Sequence, residues 1–477
     1  MIAHNKHFID GAWRPALDTT HTVVHDSATE ELIATVSHGT ASEIDAAVKA
    51  ARAAFPSWSA TSVVQRAVFI QAIADGLEAR VESMVTGIAA EVGMPLKLTR
   101  RIQVEAPISA WRATAAIAAD ALADTPLRHS VITKEAVGVV GAITPWNYPL
   151  HQITGKLAAA LAAGCCVVLK PSELAPTAAQ ALGEAIAEAG LPNGVVNIVL
   201  GDKNAGEALV RHPGVDLVSF TGSTAVGKHI ASIAGQALKR VSLELGGKSA
   251  GIALADADQA AVVKNAIASC FLNSGQTCSA ITRLLVPQEQ YDDYRAQLQT
   301  AVEALQVGDP RDGKTRIGPL VSAEHKQRVQ SFIAEAVNQG YDVIKAHADT
   351  ALPNRGFYVA PIVFGRVPLE ARLAQEEVFG PVLTVQTYAD EDEAIAIANG
   401  TAYGLAGAVW SGSPEHGERI ARRMRAGQVD VNGAPFNAVA PFGGFGASGF
   451  GREGGTFGIE EFIELRAIQL PVRTATK

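Results

Sequence analysis

Apolar positions recur with two different periods along the chain, and the change of period divides it. Over 40–120 the spacing is helical. TASEIDAAVKAARAAF (40–55) opens with Thr40 or Ser42 as a capping candidate, and Glu43 and Asp45 fall in the first turn of the helix it predicts. Ala-rich amphipathic segments continue to about Ala123. Alternation and β-branched residues then take over in TPLRHSVITKEAVGVVGAI (125–143), which predicts strands. From 164 to 246 short apolar runs alternate with helical stretches: CCVVLK, VVNIVLG, DLVSF and KRVSLEL as strands, with TAAQALGEAIAEAG, NAGEALVRH and STAVGKHIASIAG between them as helices. That alternation predicts βαβ units, hence a parallel sheet with helices on both faces. Right-handed crossovers bring the strand C-termini to one edge, where ligands bind in such sheets.

A second α/β region runs from about 250 to 450. In it DADQAAVVKNAIASCFLNS predicts a helix leading into a polar loop. The run LAAALAAGCCVVL (157–169) reads as a buried helix passing into a buried strand; it is too short to span a bilayer. The final stretch FIELRAIQLPV (462–472) predicts a strand without a local partner, which leaves the 125–143 strands or another subunit to pair with it.

Composition narrows the function classes. With 477 residues, 48% hydrophobic and 18% charged, the chain is expected to fold as a globular protein of two or three domains. A formal charge of −8 argues against nucleic-acid binding and against a basic membrane surface. MIAHNKHFIDGAW lacks the basic segment and apolar run of a secretory signal. The four cysteines, Cys165, Cys166, Cys270 and Cys278, form no CxxC and no zinc spacing, so free thiols in a cytoplasmic setting and no metal site are expected. His151, His212 and His229 are scattered on helical segments and read as surface or satisfied histidines.

Several short stretches carry candidate chemistry, each with an ordinary alternative. Cys278 lies in LNSGQTCSA among polar and turn-forming neighbours, unlike a core cysteine; it is a surface thiol or a reactive one. In DLVSFTGSTAVGKHI a strand meets a helix through Gly222 and Ser223, which suits a phosphate or simply a tight turn. Lys170 and Glu173 in VVLKPSE can bind a ribose, or be surface residues after a strand. Asn147, between the prolines of ITPWNYP, offers an N–H to an oxyanion or to its own turn. Glu244 ends an apolar strand in LELGGKS, where burial raises a carboxyl pKa toward that of a general base; partial solvation is the plain alternative. EEVFGPV and APFGGFGASGFGRE read singly as loops.

Taken together and in this order, ITPWNYP, VVLKPSE, SFTGS, LELGGKS, GQTC, EEVFGPV and PFGG…SGFGRE resemble the NAD(P)-dependent aldehyde dehydrogenase family, of the hydrolytic rather than CoA-acylating type, over nearly the whole chain from FIDGAW (8–13) to the last strand. The resemblance implies a doubly wound dinucleotide-binding domain (1–120 and 142–247), an α/β catalytic domain (248–448) and small oligomerisation strands (121–141 and 460–477) that would make a homodimer or homotetramer. It implies Cys278 as nucleophile, Glu244 as general base and Asn147 with the Cys278 backbone N–H as oxyanion hole. Lys156 would sit near the active site in proton relay. The cofactor would be NAD, with NADP possible: Lys170 and Glu173 on the adenosine ribose, Gly222 and Ser223 by the pyrophosphate, Glu377 on the nicotinamide ribose, with Phe379 and Trp146 packing nearby.

A helix after Pro149 would place Tyr148, Gln152 and Gly155 on one face. By resemblance that face lines an aldehyde tunnel opposite Phe436 and Phe442, with space at Gly155, and so an apolar or aromatic aldehyde is expected. Three rival readings remain at this point: CoA-acylating oxidation, which needs no water-activating Glu244; a thiol acyltransferase or hydrolase without redox chemistry; and a non-catalytic relative.

Overall fold

The computed structural model describes residues 1–346 and 352–471. Its largest sheet has eight strands, in the order Gly449–Phe450, Arg240–Glu244, Leu217–Thr221, Val139–Ile143, Cys166–Lys170, Val196–Ile198, Lys6–Ile9 and Ala12–Pro15. The five central strands are parallel. Chain order runs outward in both directions from the gap between Val139–Ile143 and Leu217–Thr221, which is the switch point where a crevice opens at the carboxyl edge. Register aligns that edge: Ile143 pairs with Lys170 and Phe220, and Thr221 with Glu244. The segments after these strands, carrying Asn147, Glu173, Gly222 and Gly246, therefore meet at one rim.

A second sheet of seven strands is parallel except for Asp342–Ala346 at one edge. The chain passes from the carboxyl end of Arg240–Glu244 in the first sheet to Ser249–Ala253 in the second across only four residues, 245–248. The two sheets thus face each other across LELGGKS.

Local chemistry explains the elements that matter. Thr40 closes a capping box with Glu43 ahead of helix Ala41–Ser59. Helix Pro149–Ala163 begins on Pro149 and ends at Gly164, whose φ of 96° is left-handed. Leu150, Leu157 and Leu161 of that helix are fully buried, each worth about 1.5–3 kcal/mol. The 40–120 region is helical with one departure that periodicity does not predict: Thr99–Glu105 is π-helical.

The late strand Ile463–Gln469 pairs antiparallel with Ser130–Ala136, from Ile463↔Ala136 to Gln469↔Ser130, and Thr125–Leu127 completes that small sheet. Its partner is thus within the chain. The boundary expected at 141/142 cuts strand Val139–Ile143, all of which belongs to the large sheet, and Gly449–Phe450, beyond 448, pairs there too. Residues 472–477 of the expected C-terminal segment lie outside the described residues. Among the described residues no helix is long and apolar enough to cross a membrane.

Candidate active site

Helix Gln259–Cys270 ends in a turn in which Asn273, Ser274 and Gly275 all have positive φ (51°, 58° and 78°). Two non-glycine residues in succession there cost about 1–2 kcal/mol each and need external support. Side-chain amides provide it. Asn147 Nδ2 donates to Gln276 O at 3.0 Å, Asn273 Nδ2 to Asn147 O at 3.0 Å, and Gln103 Nε2 to Asn147 O at 2.8 Å. Gln276 Nε2 donates to Asn273 O at 3.0 Å, its Oε1 accepts from Val321 N at 2.9 Å, and Ser274 Oγ donates to Gly318 O at 2.8 Å. Gly275 is required as well: a Cβ there would lie 2.1 Å from Gly380 O.

These polar neighbours do not open the loop to solvent, as their composition suggests. Asn273, Ser274 and Gln276 are buried, and in this loop Leu272 and residues 277–279 are partly exposed. The polarity is spent on pinning the chain so that the half-buried Cys278 is held at a fixed place. Burial pushes its thiol up to about 12, with the carboxylates of Glu377 and Glu244 adding; the backbone N–H groups of Ser279 and Cys278 oppose the shift. Cys165, Cys166 and Cys270 are fully buried core thiols.

Glu244 is buried with neither carboxylate oxygen hydrogen-bonded by the described residues. Burial, then the charge of Glu453, raises its pKa well above the usual carboxyl range, against Lys156 and Arg452. Lys156, fully buried on helix Pro149–Ala163, donates to Glu453 Oε1 at 2.5 Å and to Thr221 Oγ1 at 2.7 Å. Glu453 was not among the expected site residues, although the quoted APFGGFGASGFGRE ends on it. It reaches the site because Phe442 and Glu453 form an antiparallel bridge, N to O at 2.8 and 2.7 Å. Glycines clear room for the carboxylates: a Cβ on Gly443 would meet Glu244 Oε1 at 2.7 Å, and one on Gly246 would meet Glu377 Oε2 at 2.2 Å.

The expected cofactor residues gather along the switch-point rim and the facing sheet. Ser223 caps helix Thr224–Gln236 through Val226 N and stays exposed, leaving that helix start open to an anion. The space at Gly222 is not open, since a Cβ there would lie 2.4 Å from the Phe220 ring; the glycine serves packing. Lys170 Nζ lies 3.0 Å from Glu173 Oε2. Glu377 accepts from Gly247 N at 3.1 Å, and burial raises its pKa to about 7. Phe379, at φ 61°, stands edge-on to Trp146 with centroids 5.6 Å apart. His325, which sequence reading passed over, completes this triangle at 5.4 Å from Trp146 and 5.8 Å from Phe379, and its Nε2 bonds Phe379 O at 2.7 Å.

Of the expected aldehyde-tunnel residues, Tyr148 hydroxyl lies 2.7 Å from Thr277 Oγ1, beside the nucleophile. Phe436 and Phe442 pack edge-on at 6.2 Å. Gly155 departs from expectation: a Cβ there would sit 2.6 Å from Glu453 Oε2, so its place is filled by that carboxylate and it opens no lumen.

Residues 13–468 match the model of the Aldehyde dehydrogenase family. The chain is 41% identical over 473 residues to a 3-succinoylsemialdehyde-pyridine dehydrogenase of a Pseudomonas species, covering 98% of this chain and 99% of the other. It is 40% identical, with the same coverage, to the geranial dehydrogenase of Castellaniella defragrans. Among solved structures, a cysteine-to-alanine variant of aldehyde dehydrogenase C from Pseudomonas syringae with NAD+ and octanal superposes with a TM-score of 0.95 at 40% identity, covering 98% of this chain and 96% of that one. A Mycobacterium tuberculosis aldehyde dehydrogenase complexed with NAD+ gives a TM-score of 0.95 at 38% identity over the whole of both chains.

Proposed function

The chain belongs to the aldehyde dehydrogenase family, and from that premise we propose that it oxidises an apolar or aromatic aldehyde to its acid with NAD+ through a covalent intermediate on Cys278. That it is an NAD(P)-dependent oxidoreductase of aldehydes follows from the family. The residue roles rest on one observation above all: the Asn147 amide bonds the main chain of the nucleophile's own loop, at Gln276 O, which leaves its second N–H for an oxygen forming beside the sulfur.

The chemistry then runs in two stages. The half-exposed Cys278 thiol gives its proton to water as its sulfur adds to the carbonyl carbon, forming a C–S bond and moving an electron pair onto oxygen. Asn147 and the Cys278 backbone N–H stabilise that oxyanion; one such donor is worth about 3 kcal/mol. Collapse of the oxyanion expels the C–H pair as hydride and leaves a thioester. Bound nicotinamide supplies the hydride acceptor. Glu244 next takes a proton from water as the water oxygen adds to the thioester; the C–S bond breaks, the acid departs and the thiolate is restored. The raised pKa makes Glu244 a stronger base than a solvated carboxylate. Glu453 and Lys156, the charged groups acting on it, carry its proton away.

The residues present fit a dinucleotide. The Ser223 helix start suits a pyrophosphate, Lys170 and Glu173 a ribose, and Glu377, cradled against Gly246, the second ribose, with Phe379 and Trp146 as a wall. Glu173 favours NAD over NADP by repelling a 2′-phosphate. On this reading the large sheet is the cofactor-binding domain and the seven-stranded sheet the catalytic one. The tunnel is formed by Tyr148, Gln152, Phe436 and Phe442. Relatives named for geranial and for a pyridine semialdehyde, and a neighbour solved with octanal, support an uncharged substrate. Four free cysteines support a cytoplasmic site, and the exposed apolar side chains of Leu465 and Ile468 on the small sheet support homo-oligomers.

The test is mass spectrometry of the acyl-enzyme. E244Q mixed with aldehyde and NAD+ should release one equivalent of NADH and retain an acyl mass on the peptide carrying Cys278, while C278A should do neither. An adduct on another residue refutes the assignment, and turnover that requires CoA refutes hydrolysis.

A further inference from the structure

An unbroken file of rings leads away from the nucleophile. Tyr148, bonded to Thr277, stands 6.5 Å from His151; His151 stands 6.5 Å from Phe436; and Phe436 reaches Phe442 at 6.2 Å and is itself 54% exposed. The file thus runs from the half-buried sulfur to solvent. His151 is its one ring with nitrogen atoms. Its Nδ1 is buried and has no hydrogen-bond partner among the described residues. Beside it on the helix, Gln152 is 7% exposed, and no side chain or backbone group of the described residues bonds its amide. Neither group has a structural task that its hydrogen-bonding capacity serves, although buried polar groups are normally paired.

We propose that His151 and Gln152 read a neutral hydrogen-bonding group on the aldehyde, so that the preferred substrates carry a hydroxyl, a ketone or a ring nitrogen on an otherwise apolar or aromatic body. This rests on the reading of Cys278 as the nucleophile and of Tyr148 and Phe436 as tunnel wall. Charge on the substrate is not what the pair recognises. Burial lowers the His151 pKa against the opposing charge of Glu453, so the ring is neutral at physiological pH and presents one donor and one acceptor. Gln152 is neutral by nature and also presents both. Glu453, whose charge acts on His151, is itself paired with Lys156. A carboxylated or cationic aldehyde would find no counter-ion in the file, whereas a neutral polar atom would find two partners that the protein leaves unpaired.

The experiment compares matched aldehydes that differ remotely from the reacting carbon: phenylpropanal with pyridylpropanal, and heptanal with a terminally hydroxylated heptanal. NADH formation is followed in the wild type, H151F and Q152L, with thermal melts confirming that each variant is folded. The wild type should favour the polar member of at least one pair by about tenfold in kcat/KM, as a hydrogen bond gained on binding provides, and mainly through KM. The polar-to-apolar ratio should fall toward one in H151F or in Q152L; Q152L decides if H151F is unfolded. Equal kcat/KM within both pairs in the wild type, or a preference that survives in both variants, overturns the proposal and leaves the Cys278 reading intact. No NADH from any of the four aldehydes overturns both.

Discussion

Oε2 of Glu453 occupies the place where a side chain at residue 155 would begin: a Cβ built on Gly155 meets it at 2.6 Å. Gly155 is not left-handed, so alanine fits its backbone and improves helix propensity by about 1 kcal/mol. G155A should nonetheless lower both Tm and kcat, because the added methyl displaces the carboxylate from the buried Lys156, a loss that outweighs the propensity gain. In E453Q the acid limb of the kcat profile should move to lower pH. Burial and then Glu453 raise the Glu244 pKa, and the base is active only when deprotonated, so removing the negative neighbour lets it ionise earlier. An unmoved limb in E453Q would separate Glu453 from the base.

Asn147 and Gln103 make a graded pair. N147A removes a donor from the oxyanion and should cost about 10²–10³ in kcat. Gln103 touches only the backbone of Asn147, donating to its oxygen at 2.8 Å. Q103L should lower kcat by a smaller factor with KM little changed. Equal losses in the two variants would mean that the turn itself, rather than the amide, is what matters.

Glu173 sets the cofactor choice in the proposed site. Wild-type kcat/KM should be higher with NAD than with NADP, and E173Q should narrow the gap by freeing Lys170 for a phosphate. A wild type that prefers NADP would exclude the ribose role given to Glu173.

Glu91 offers a stability test away from the chemistry. It is buried, accepts from Thr177 N at 3.1 Å and from Thr177 Oγ1 at 2.5 Å, and leaves Oε2 without a partner among the described residues. Burial raises its pKa to about 8. A carboxyl raised in the folded state holds its proton there but loses it on unfolding near 4.5, so stability falls as pH rises from the unfolded value through about 8. E91Q keeps the acceptor and cannot ionise. Its Tm relative to wild type should therefore be higher at pH ~9 than at pH ~6; a constant difference would mean that Glu91 is ionised when folded.

Leu465 is 68% and Ile468 42% exposed on strand Ile463–Gln469. If this face pairs subunits, the double variant L465E/I468E should be monomeric by light scattering where the wild type is not. A monomeric wild type refutes the homo-oligomer directly.

Residues adjacent in sequence to their own structural signal were legible. The βαβ alternation over 164–246 was readable because strand and helix periods differ, whereas Cys278, Glu244 and Asn147 each had an ordinary local alternative and took their expected roles from the family resemblance. Residues delivered by distant pairing were not. Glu453 meets Lys156 across 297 positions through its bridge to Phe442, and nothing in its neighbours foretells that contact. Gln103 depends on a π-helical turn that shifts its side chain off the regular helical face. Gly155 shows the converse: helical spacing led to an expectation of open space there, but only tertiary packing reveals that a carboxylate already stands in it. Asn273, Ser274 and Gln276 misled through composition, since polar residues suggest water where here they bond buried backbone.

The two main-chain bonds between Phe442 and Glu453 make the proposed tunnel wall and the proton-handling carboxylate parts of one stiff ribbon. Remodelling the rim through the 436–442 loop to admit a new aldehyde would also disturb deacylation. His151 and Gln152 on helix Pro149–Ala163 have no such tether to Glu453 among the described residues, and there selectivity is free to diverge without a penalty in turnover.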